Sequence, residues 1–313
     1  MPLITVFTPT FNRANKLSRV FESLQNQTFK DFEWVIVDDG STDDTKVLVD
    51  NFKKTSNGFN IVYKYQQNSG KHIAINTGVS LAKGYFFNIA DSDDAIETNA
   101  LQEFLDAWGE IPEDKKKYYC GIWACCKDQF GNRISDPVPG KIYDGNLREL
   151  FYKCYFRKEA FHIYLTSVMK EFPFPNDIRN TYFPEGIIWC KMTDTYRVKL
   201  IDKELRIYYL ENSGDSIMSQ KRTARITALS RCIESSEVLN NNLSWFFYYK
   251  VYFIKNALVY ASFKPFLSPS EKKRFTLSVN ACLFYLPLKL PGLIINFIFR
   301  IRDSYLLNRK ING

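Results

Sequence analysis

The first ninety residues alternate short apolar runs with segments of helical periodicity, and this alternation limits the possible folds more than any other feature of the chain. The apolar runs are Leu3–Thr8, Phe32–Val37, Ile61–Tyr65 and Tyr85–Ala90. Between them, apolar side chains recur every three or four residues, which is the spacing of one helix face. Such a succession is typical of an α/β protein. We therefore predict an open, mostly parallel, twisted sheet that is flanked by helices.

The chain has 313 residues, which exceeds the usual length of a single domain. After Gln220-Lys221-Arg222 the sequence changes to helical segments rich in Phe, Tyr and Lys. We place a boundary there, with an α/β domain over residues 1–220 and a helical region over residues 221–313. In that region Phe275–Leu288 and Leu290–Phe299 are uncharged, but each is shorter than the ~20 apolar residues that span a bilayer.

Positive charge is concentrated in the C-terminal tail. The net charge is +8, and residues 246–313 carry eleven Lys or Arg against two Asp or Glu. This asymmetry predicts contact with an anionic surface, either membrane lipid or nucleic acid. Bulky aromatic residues alternate with the basic ones, which favours helices lying in a membrane interface. No nucleic-acid-binding motif is present, so we expect no nucleic acid partner. Packing on the α/β domain or in a homodimer is the alternative.

The cysteines and the N-terminus indicate a reducing compartment. Seven cysteines show neither metal-ligand spacing nor the density of a disulfide scaffold, so we expect reduced thiols in the core. Met1-Pro2 leads directly into the first apolar run without a charged leader, so we expect a cytoplasmic protein.

Acidic clusters follow the second and fourth predicted strands. Asp38-Asp39 ends one, and Asp91-Ser92-Asp93-Asp94 ends the other. Because ligands of open α/β sheets bind beyond the carboxyl ends of the strands, both clusters are expected to face one crevice. Asp91-x-Asp93 offers the hard oxygen ligands of a Mg²⁺ or Mn²⁺ ion that bridges substrate phosphates. The alternative is a polar turn or a helix cap at each position.

Familiar phosphate-binding loops are missing from the sequence. Neither G-x-G-x-x-G nor G-x-x-x-x-G-K-[ST] occurs, which disfavours dehydrogenases and P-loop proteins. Only two histidines occur, His72 and His162, so a histidine-rich metal site is excluded and a Ser-His-Asp hydrolase is disfavoured. Carboxylates are therefore expected to perform the acid–base chemistry.

Four motifs in order resemble the family 2 glycosyltransferases of GT-A fold. They are Thr8-Pro9-Thr10-Phe11-Asn12-Arg13, Val37–Asp43, Gln67-Asn68-x-Gly70 and Asp91-x-Asp93-Asp94. The likeness is strong over residues 1–110, looser to about 217, and absent from the tail. It implies that residues 1–220 form a catalytic domain that transfers a sugar, with inversion, from a nucleotide-diphosphate sugar.

The resemblance also implies roles for individual residues. Asp38 and Asp39 lie near the base and ribose, Asp91 lies near the ribose or sugar, and Lys71 adds positive charge near the nucleotide. The loop from Pro9 to Arg13 lines the nucleotide pocket. The implied nucleotide-sugar-binding residues are Thr8, Pro9, Thr10, Arg13, Asp38, Asp39, Lys71, Asp91 and Ser92, and Asp93 holds Mn²⁺ or Mg²⁺.

Inversion requires a carboxylate that removes the proton of the acceptor hydroxyl. Glu185 is the best candidate because Pro184 and Gly186 bracket it before a helical run, where related enzymes place their base. Those enzymes often have a Glu-Asp pair there, whereas the next residue here is Gly186. Asp177 and Asp194 are alternative bases, although for Asp194 pairing with a neighbour such as Arg197 is favoured over catalysis. Asn212–Ser216 resembles a loop that closes over such sites.

The expected partners are a nucleotide-diphosphate sugar donor and a glycan or lipid-linked acceptor, in the synthesis of surface polysaccharide or glycolipid. With its basic tail, the protein is expected at the cytoplasmic face of a membrane as a peripheral protein. Two other functions remain open: a sugar nucleotidyltransferase, which needs a Gly-rich basic loop that Thr8–Arg13 lacks, and a catalytically silent sugar-binding module.

Overall fold

The computed structural model describes residues 1–210 and 223–311, which form two compact units. The first unit comprises Met1–Asn180 and Ile188–Leu210, and the second comprises Thr181–Ile187 and the chain from Glu211 onward. The sequence segment Asn212–Ser216, interpreted above as a closing loop, lies outside the described residues.

The first 110 residues form the alternating half that the sequence predicts. Strands and helices follow one another with bounds close to the apolar runs. They are β1 (Ile4–Thr10), α1 (Ala14–Gln25), β2 (Phe32–Asp38), α2 (Thr45–Thr55), β3 (Asn60–Tyr65), α3 (Lys71–Leu81), β4 (Phe86–Ile89), β5 (Ala95–Ile96) and α4 (Ala100–Gly109).

The next hundred residues mix longer and shorter strands with short helices. They are β6 (Tyr119–Asp128), β7 (Ile142–Gly145), α5 (Leu147–Tyr152), β8 (Phe161–Leu165), α6 (Thr166–Glu171), α7 (Gly186–Thr195) and β9 (Arg197–Tyr208).

All nine strands belong to one sheet, in the order β3-β2-β1-β4-β8-β6-β9-β5, with β7 paired to β9. Strands β1 to β4 pair in parallel, as predicted. Beyond β4 the pairing is mixed, because β8 runs antiparallel to both β4 and β6 whereas β6 and β9 are parallel. The carboxyl ends of β1, β2 and β4 therefore meet at one edge, where the acidic loops emerge.

Aromatic packing joins the first helices to the sheet. The Phe21 ring stacks on Phe52 at 4.2 Å between centroids, and both lie against Trp34, which is fully buried. On α3, a Cβ at Gly78 would lie 2.2 Å from the Phe7 ring, so this helix can approach β1 only because residue 78 lacks a side chain. These contacts fix the loops at the carboxyl edge.

Gly84 lies beyond the C-terminal end of α3 and does not cap that helix. The helix ends at Leu81, and the Gly84 backbone lies close to that of β1: a Cβ at Gly84 would lie 2.3 Å from the backbone nitrogen of Thr5. The Gly84 amide donates to the Thr5 hydroxyl at 2.9 Å. The glycine is therefore required by the backbone of β1 and not by a helix terminus.

The second unit is helical. Its helices are α8 (Ala224–Asn241), α9 (Lys250–Phe263), α10 (Pro269–Arg274), α11 (Val279–Tyr285) and α12 (Lys289–Ile311). Two small buried clusters hold it together, one around Cys232 and Phe263 and one around Ala257 and Tyr260.

The two uncharged stretches of the tail are not separate, which corrects the sequence interpretation. A single 3-10 turn at Leu286–Leu288 joins α11 to α12, so that helical structure is continuous past Pro287. Val279–Arg300 is thereby a 22-residue stretch of mean hydropathy 1.7, long and apolar enough to cross a membrane by length and composition alone.

The seven cysteines are all free, and four of them are buried as expected: Cys120, Cys125, Cys126 and Cys232. Cys154 and Cys190 are half-buried and Cys282 is exposed, so the expectation of core thiols is wrong for these three. Burial raises the pKa of the Cys126 thiol to about 12. That thiol is therefore protonated and unreactive at neutral pH.

Candidate active site

The loops after β1 and β2 are bonded to each other. The Asn12 amide donates to the Ser41 hydroxyl at 2.8 Å, and the Thr42 amide donates to the Asn12 side-chain oxygen at 2.8 Å. Asn12 adopts a φ of 52°, a left-handed conformation that asparagine tolerates better than most residues. The two loops are thus held as one platform at the carboxyl edge of the sheet.

The predicted residues of the first loop lie at the end of β1. Thr8 is fully buried and its hydroxyl accepts from the Trp34 indole at 2.9 Å, so this side chain faces the core. Pro9 and Thr10 are also buried, and the Thr10 carbonyl accepts from the Asp39 amide at 2.8 Å. Arg13 is half-buried at the start of α1. The Thr8 side chain therefore packs beneath the loop and is not exposed at the loop surface.

Asp38 organises the loop after β2. One carboxylate oxygen accepts from the Ser41 amide at 2.7 Å, and the other accepts from the Tyr63 hydroxyl at 2.6 Å. Burial and the Asp38 carboxylate raise the pKa of Tyr63. Beside this pair lies a cleft of about 460 Å³, which Asp38, Ser41, Asp43, Lys46, Tyr63 and Tyr65 line.

Asp39 holds the segment between β3 and α3. It accepts from the Gln66 side chain at 2.7 Å and from the Ser69 amide at 2.9 Å through one oxygen, and from the Gly70 amide at 2.8 Å through the other. A carboxylate has about four lone-pair sites. Asp39 therefore keeps about one for a ligand, and Asp38 keeps about two.

Asp91 lies between two cations. The Lys71 ammonium is 2.7 Å from one carboxylate oxygen, and the Arg206 guanidinium is 2.8 Å from the other. Burial alone would raise the pKa of Asp91, but the charges of Lys71 and Arg206 outweigh it and hold that pKa far below its usual range. Asp91 is therefore ionised at any physiological pH.

Asp94 also pairs with Arg206 and is almost fully buried. Arg206 donates to one Asp94 oxygen through Nε at 2.7 Å and through a second nitrogen, and the Tyr209 amide donates to the other oxygen at 3.1 Å. Burial raises the pKa of Asp94 to about 6, against the lowering effect of Arg206. Asp94 thus ties the loop after β4 to the end of β9.

Asp93 differs from its two neighbours. Its carboxylate has no hydrogen bond or ion pair with any residue of the described ranges 1–210 and 223–311, and only its main-chain carbonyl is engaged, by Arg19 at 3.3 Å. Ser92, beside it, is buried. Within the cluster Asp91-Ser92-Asp93-Asp94, Asp93 is therefore the carboxylate available to a ligand.

One available carboxylate suits a cation that is shared with the substrate. Among the described residues, no group of three or more His, Cys, Asp or Glu side chains stands ready to hold a metal alone. Mg²⁺ commonly keeps several waters and binds through one or two carboxylates together with substrate phosphates. The residues present fit that mode, with Asp93 as the protein ligand.

The candidate bases lie in different surroundings. Glu185 is half-buried and immediately precedes α7, in the segment Thr181–Ile187, as the sequence suggested. Asp194 is ion-paired, but its partner is Arg148 of α5 and not Arg197, which binds Asp144 at 2.8 Å. The position of Arg148 on a distant segment explains why the sequence interpretation chose the nearer arginine.

Sequence reasoning missed Arg206 and the surroundings of His162. His162 lies in an aromatic group with Trp123, Tyr164 and Trp189, at ring-centroid distances between 5.1 and 5.5 Å. Its Nδ1 is buried and has no hydrogen-bond partner in the described part of the chain. Burial, and then the charge of Arg206, lower the pKa of His162 to about 3, so the ring is neutral.

Comparison with known proteins decides the family. Residues 5–172, more than half of the chain, match the family model described as Glycosyl transferase family 2. The chain is a family 2 glycosyltransferase. The resemblance inferred from its motifs is thereby confirmed.

Known relatives of this glycosyltransferase include a β-1,3-glucosyltransferase of Campylobacter jejuni that acts on GalNAc(5)-diNAcBac-PP-undecaprenol. It is 27% identical over 248 residues, which are 78% of this chain and 76% of the relative. A chondroitin synthase of Escherichia coli is 37% identical over 144 residues, which are 46% of this chain but only 20% of the synthase.

Solved glycosyltransferase structures share the fold. Residues 1–349 of S. aureus TarS in complex with UDP-GlcNAc superpose with a TM-score of 0.58 at 20% identity, over 94% of this chain and 80% of that one. The mannosyltransferase PcManGT of Pyrobaculum calidifontis, in complex with GDP-Man and Mn²⁺, gives 0.52 at 16% identity, over 96% and 84%. These matches confirm the predicted GT-A fold and the C-terminal helical region.

Proposed function

We propose that this glycosyltransferase moves a sugar, with inversion, from a nucleotide-diphosphate sugar to an acceptor hydroxyl in the synthesis of surface polysaccharide or glycolipid. The carboxylate of Asp93, in the loop after β4, carries the proposal, because it has no partner in the described part of the chain whereas Asp91 and Asp94 beside it are ion-paired. Family membership supports the reaction class. The two structural neighbours that bind UDP-GlcNAc and GDP-Man support a nucleotide-diphosphate sugar as donor.

The nucleotide lies, in this proposal, over the loops after β1 and β2. Asp38 and Asp39 meet the base and ribose through their remaining lone pairs, and the backbone from Pro9 to Arg13 lines the pocket, with Thr8, Thr10 and Ser92 beneath it. The cleft beside Tyr63 and Tyr65 supports this position because its walls combine aromatic rings with a carboxylate.

Asp93 holds Mn²⁺ or Mg²⁺ in this proposal. The ion, when bound, neutralises charge on the leaving diphosphate. Lys71 and Arg206 already pair with Asp91 and Asp94, so these two side chains do not offer a full positive charge to the diphosphate. Lys71 and Asp91 then lie where the ribose or the sugar meets the diphosphate.

Glu185 is proposed as the base. It takes the proton of the acceptor hydroxyl while the acceptor oxygen forms a bond to the anomeric carbon. The bond from that carbon to the phosphate oxygen breaks, and the nucleoside diphosphate leaves from the opposite face, which inverts the configuration. The carboxylate must lie within hydrogen-bond reach of the hydroxyl at that moment.

The acceptor is proposed to be a glycan or a lipid-linked saccharide at the cytoplasmic face of a membrane. The undecaprenol-linked substrate of the Campylobacter relative supports this. Residues 1–220 would then be the catalytic domain and residues 221–313 the region that holds it on an anionic membrane, with a homodimer as the alternative use of that region.

Release of nucleoside diphosphate from a panel of donor sugars, with Mn²⁺ and a soluble acceptor glycan, tests the reaction. Release from one donor is the expected result. Release of pyrophosphate would indicate a nucleotidyltransferase, and binding without turnover of any donor would indicate a sugar-binding module.

The Glu185→Gln variant tests the base. Because the amide cannot accept the proton, we expect kcat to fall by about 10²- to 10⁴-fold while donor affinity is unchanged. Asp177→Asn is the matched control and should turn over like the wild type. Wild-type kcat in Glu185→Gln, or a loss confined to Asp177→Asn, would remove Glu185 from this role.

The Asp93→Asn variant tests the cation site. Metal-dependent donor binding and turnover should be lost, with kcat down by about 10²-fold or more, whereas the melting temperature should stay close to that of the wild type because the carboxylate has no partner to lose. Isothermal titration of the donor with and without Mn²⁺ measures the first effect. Metal-independent binding in the wild type would contradict the proposal.

A further inference from the structure

One face of the tail exposes a continuous row of large apolar side chains, which we call the apolar ridge. Its members follow one another at intervals of four or three residues along α11, the 3-10 turn and α12, and each is between 57% and 76% exposed. They are Val279, Leu283, Leu286, Leu290, Ile294 and Phe297. Monomeric soluble proteins rarely expose an apolar surface of this extent without a partner.

The opposite face of α12 is fixed to α9. Asn296 donates to the Ser262 carbonyl at 2.6 Å, and the Ser262 hydroxyl donates to the Gly292 carbonyl at 3.0 Å. A Cβ at Gly292 would lie 2.2 Å from that of Ala261, so the two helices are in close contact there. Because Gly292 and Asn296 form the packed side of α12, the apolar ridge on its other side faces away from α9.

Helix α9 also carries exposed apolar side chains. Val251 and Ile254 lie on the same helical stripe as Leu258 and Ala261, which follow Ile254 by four and seven residues. The stripe is in contact with Gly292 at Leu258 and Ala261, but Val251 remains 71% exposed and Ile254 38% exposed. Exposed apolar side chains of the second unit are therefore not confined to α11 and α12.

We propose that the apolar ridge lies in the boundary between headgroups and acyl chains of an anionic bilayer, with α11 and α12 parallel to the membrane plane. This inference rests on the proposed function, because it states how the enzyme reaches a membrane-bound acceptor. Apolar side chains enter the acyl boundary while basic residues meet headgroups.

The charges favour lipid over a second copy of the chain. The spacing of the ridge resembles a coiled-coil seam, but such a seam in water is flanked by charged residues of both signs. Between Val279 and Phe299 the only charged residue is Lys289, and the next are Arg300 and Arg302. Two copies would therefore bring like charges together, whereas an anionic surface complements them.

The packing favours a helix in the membrane plane over one that crosses it. Crossing would separate Asn296 and Gly292 from Ser262 and leave buried polar groups unpaired in the hydrocarbon, which is costly. It would also place Lys289, near the middle of the Val279–Arg300 segment, at the bilayer centre. In the plane, Lys289 reaches the headgroups and the contacts with α9 remain.

Vesicle co-sedimentation tests the surface, with vesicles of phosphatidylcholine alone or mixed with phosphatidylglycerol. The full-length protein should bind the anionic vesicles at least about tenfold more tightly. The triple variant Leu283→Ser, Leu290→Ser, Ile294→Ser should lose that binding by about tenfold or more. Val47→Ser and Phe130→Ser, at exposed apolar positions of the first unit, are controls that should bind like the wild type. Unchanged binding by the triple variant would overturn the proposal.

Two further measurements separate the alternatives. A fluorophore that dithionite reduces is attached at Leu283→Cys or Phe297→Cys in a background where Cys154, Cys190 and Cys282 are serine. Both sites should be shallow and open to dithionite added outside sealed vesicles. Protection of one site would show a crossing helix, and a wild-type dimer that the triple variant converts to a monomer without any vesicle binding would show a second copy.

Nucleoside diphosphate release with a soluble acceptor distinguishes this inference from the proposed function. The triple variant should retain wild-type release. If the wild type releases no nucleoside diphosphate but binds anionic vesicles, the proposed reaction is contradicted and the proposed membrane surface is supported. If it releases nucleoside diphosphate and binds no vesicles, only the proposed membrane surface is contradicted.

Discussion

Arg206 connects residues more than a hundred positions apart in the sequence. It is almost fully buried at the end of β9 and neutralises both Asp91 and Asp94 on the loop after β4. Because these pairs hold the loop on either side of Asp93, we expect Arg206 to fix the position of the metal ligand proposed there.

Removal of this cation should destabilise the protein. Arg206→Met leaves the buried Asp94 carboxylate without its ionic partner and leaves Asp91 paired with Lys71 alone, so we expect the free energy of unfolding to fall by about 3–5 kcal/mol. Urea denaturation followed by circular dichroism measures it. Arg133→Met is the matched control, because Arg133 also pairs with two carboxylates, Asp202 and Glu204, but is 30% exposed; it should cost under about 1 kcal/mol. Equal losses in the two variants would contradict this.

No local sequence pattern predicts that Arg206 pairs with Asp91 and Asp94. Leu205-Arg206-Ile207 alternates as a strand with one polar face does, and this pattern does not distinguish a buried arginine from an exposed one. The acidic loops could be predicted from the sequence because short motifs in a fixed order mark them and the topology of a parallel sheet brings them together. A long-range ion pair leaves no such local pattern.

Among the elements, α3 and β1 are in unusually close contact. The Gly78 position admits no side chain against the Phe7 ring. Gly78→Val should therefore force the helix outward and lower the melting temperature, with a loss of about 1–3 kcal/mol from overpacking. Gly109→Val, on a glycine of α4 whose Cβ would meet no atom within 4 Å, is the control. Thermal unfolding of both variants measures the difference. A Gly78→Val protein as stable as the wild type would contradict the prediction and show that the sheet moves to accommodate the side chain.

Strands β1 to β4 could be predicted to within two residues because each contains a short apolar run between helical segments, although most of β3 is not buried. Three of the later strands lack such a run. Strand β7 is mostly exposed, β8 contains His162, and β9 buries Lys199 and Arg206, so none shows the apolar run of a buried strand. In the tail, the sequence presents two separate uncharged stretches, whereas a 3-10 turn at Leu286–Leu288 joins them and the helical run continues.

For the whole molecule, stability should depend on pH through His162. The pKa of His162 is about 3 in the folded protein against an ordinary 6.5. Between these two pH values the unfolded chain binds a proton at His162 that the folded chain does not bind. No stability is lost above pH 6.5, and the loss grows as the pH falls from 6.5 toward 3. Between pH 7 and pH 5 it amounts to about 2 kcal/mol.

Comparison of the wild type with His162→Gln isolates this contribution. Asp94, whose pKa is raised to about 6, acts in the opposite direction, but it is present in both proteins. On going from pH 7 to pH 5, the variant should lose about 2 kcal/mol less of its free energy of unfolding than the wild type does. Parallel curves from urea denaturation at the two pH values would show that His162 is protonated in the fold.

The Asp39 carboxylate lies at the N-terminal end of α3. By accepting from the Ser69 and Gly70 amides, it places a negative charge at the N-terminal end of α3, where many nucleotide-binding proteins seat a phosphate. A second anion at that helix end would meet the charge of Asp39, so in the proposed function the diphosphate of the donor relies on the cation at Asp93. The cellular supply of that cation would then control whether the donor is retained.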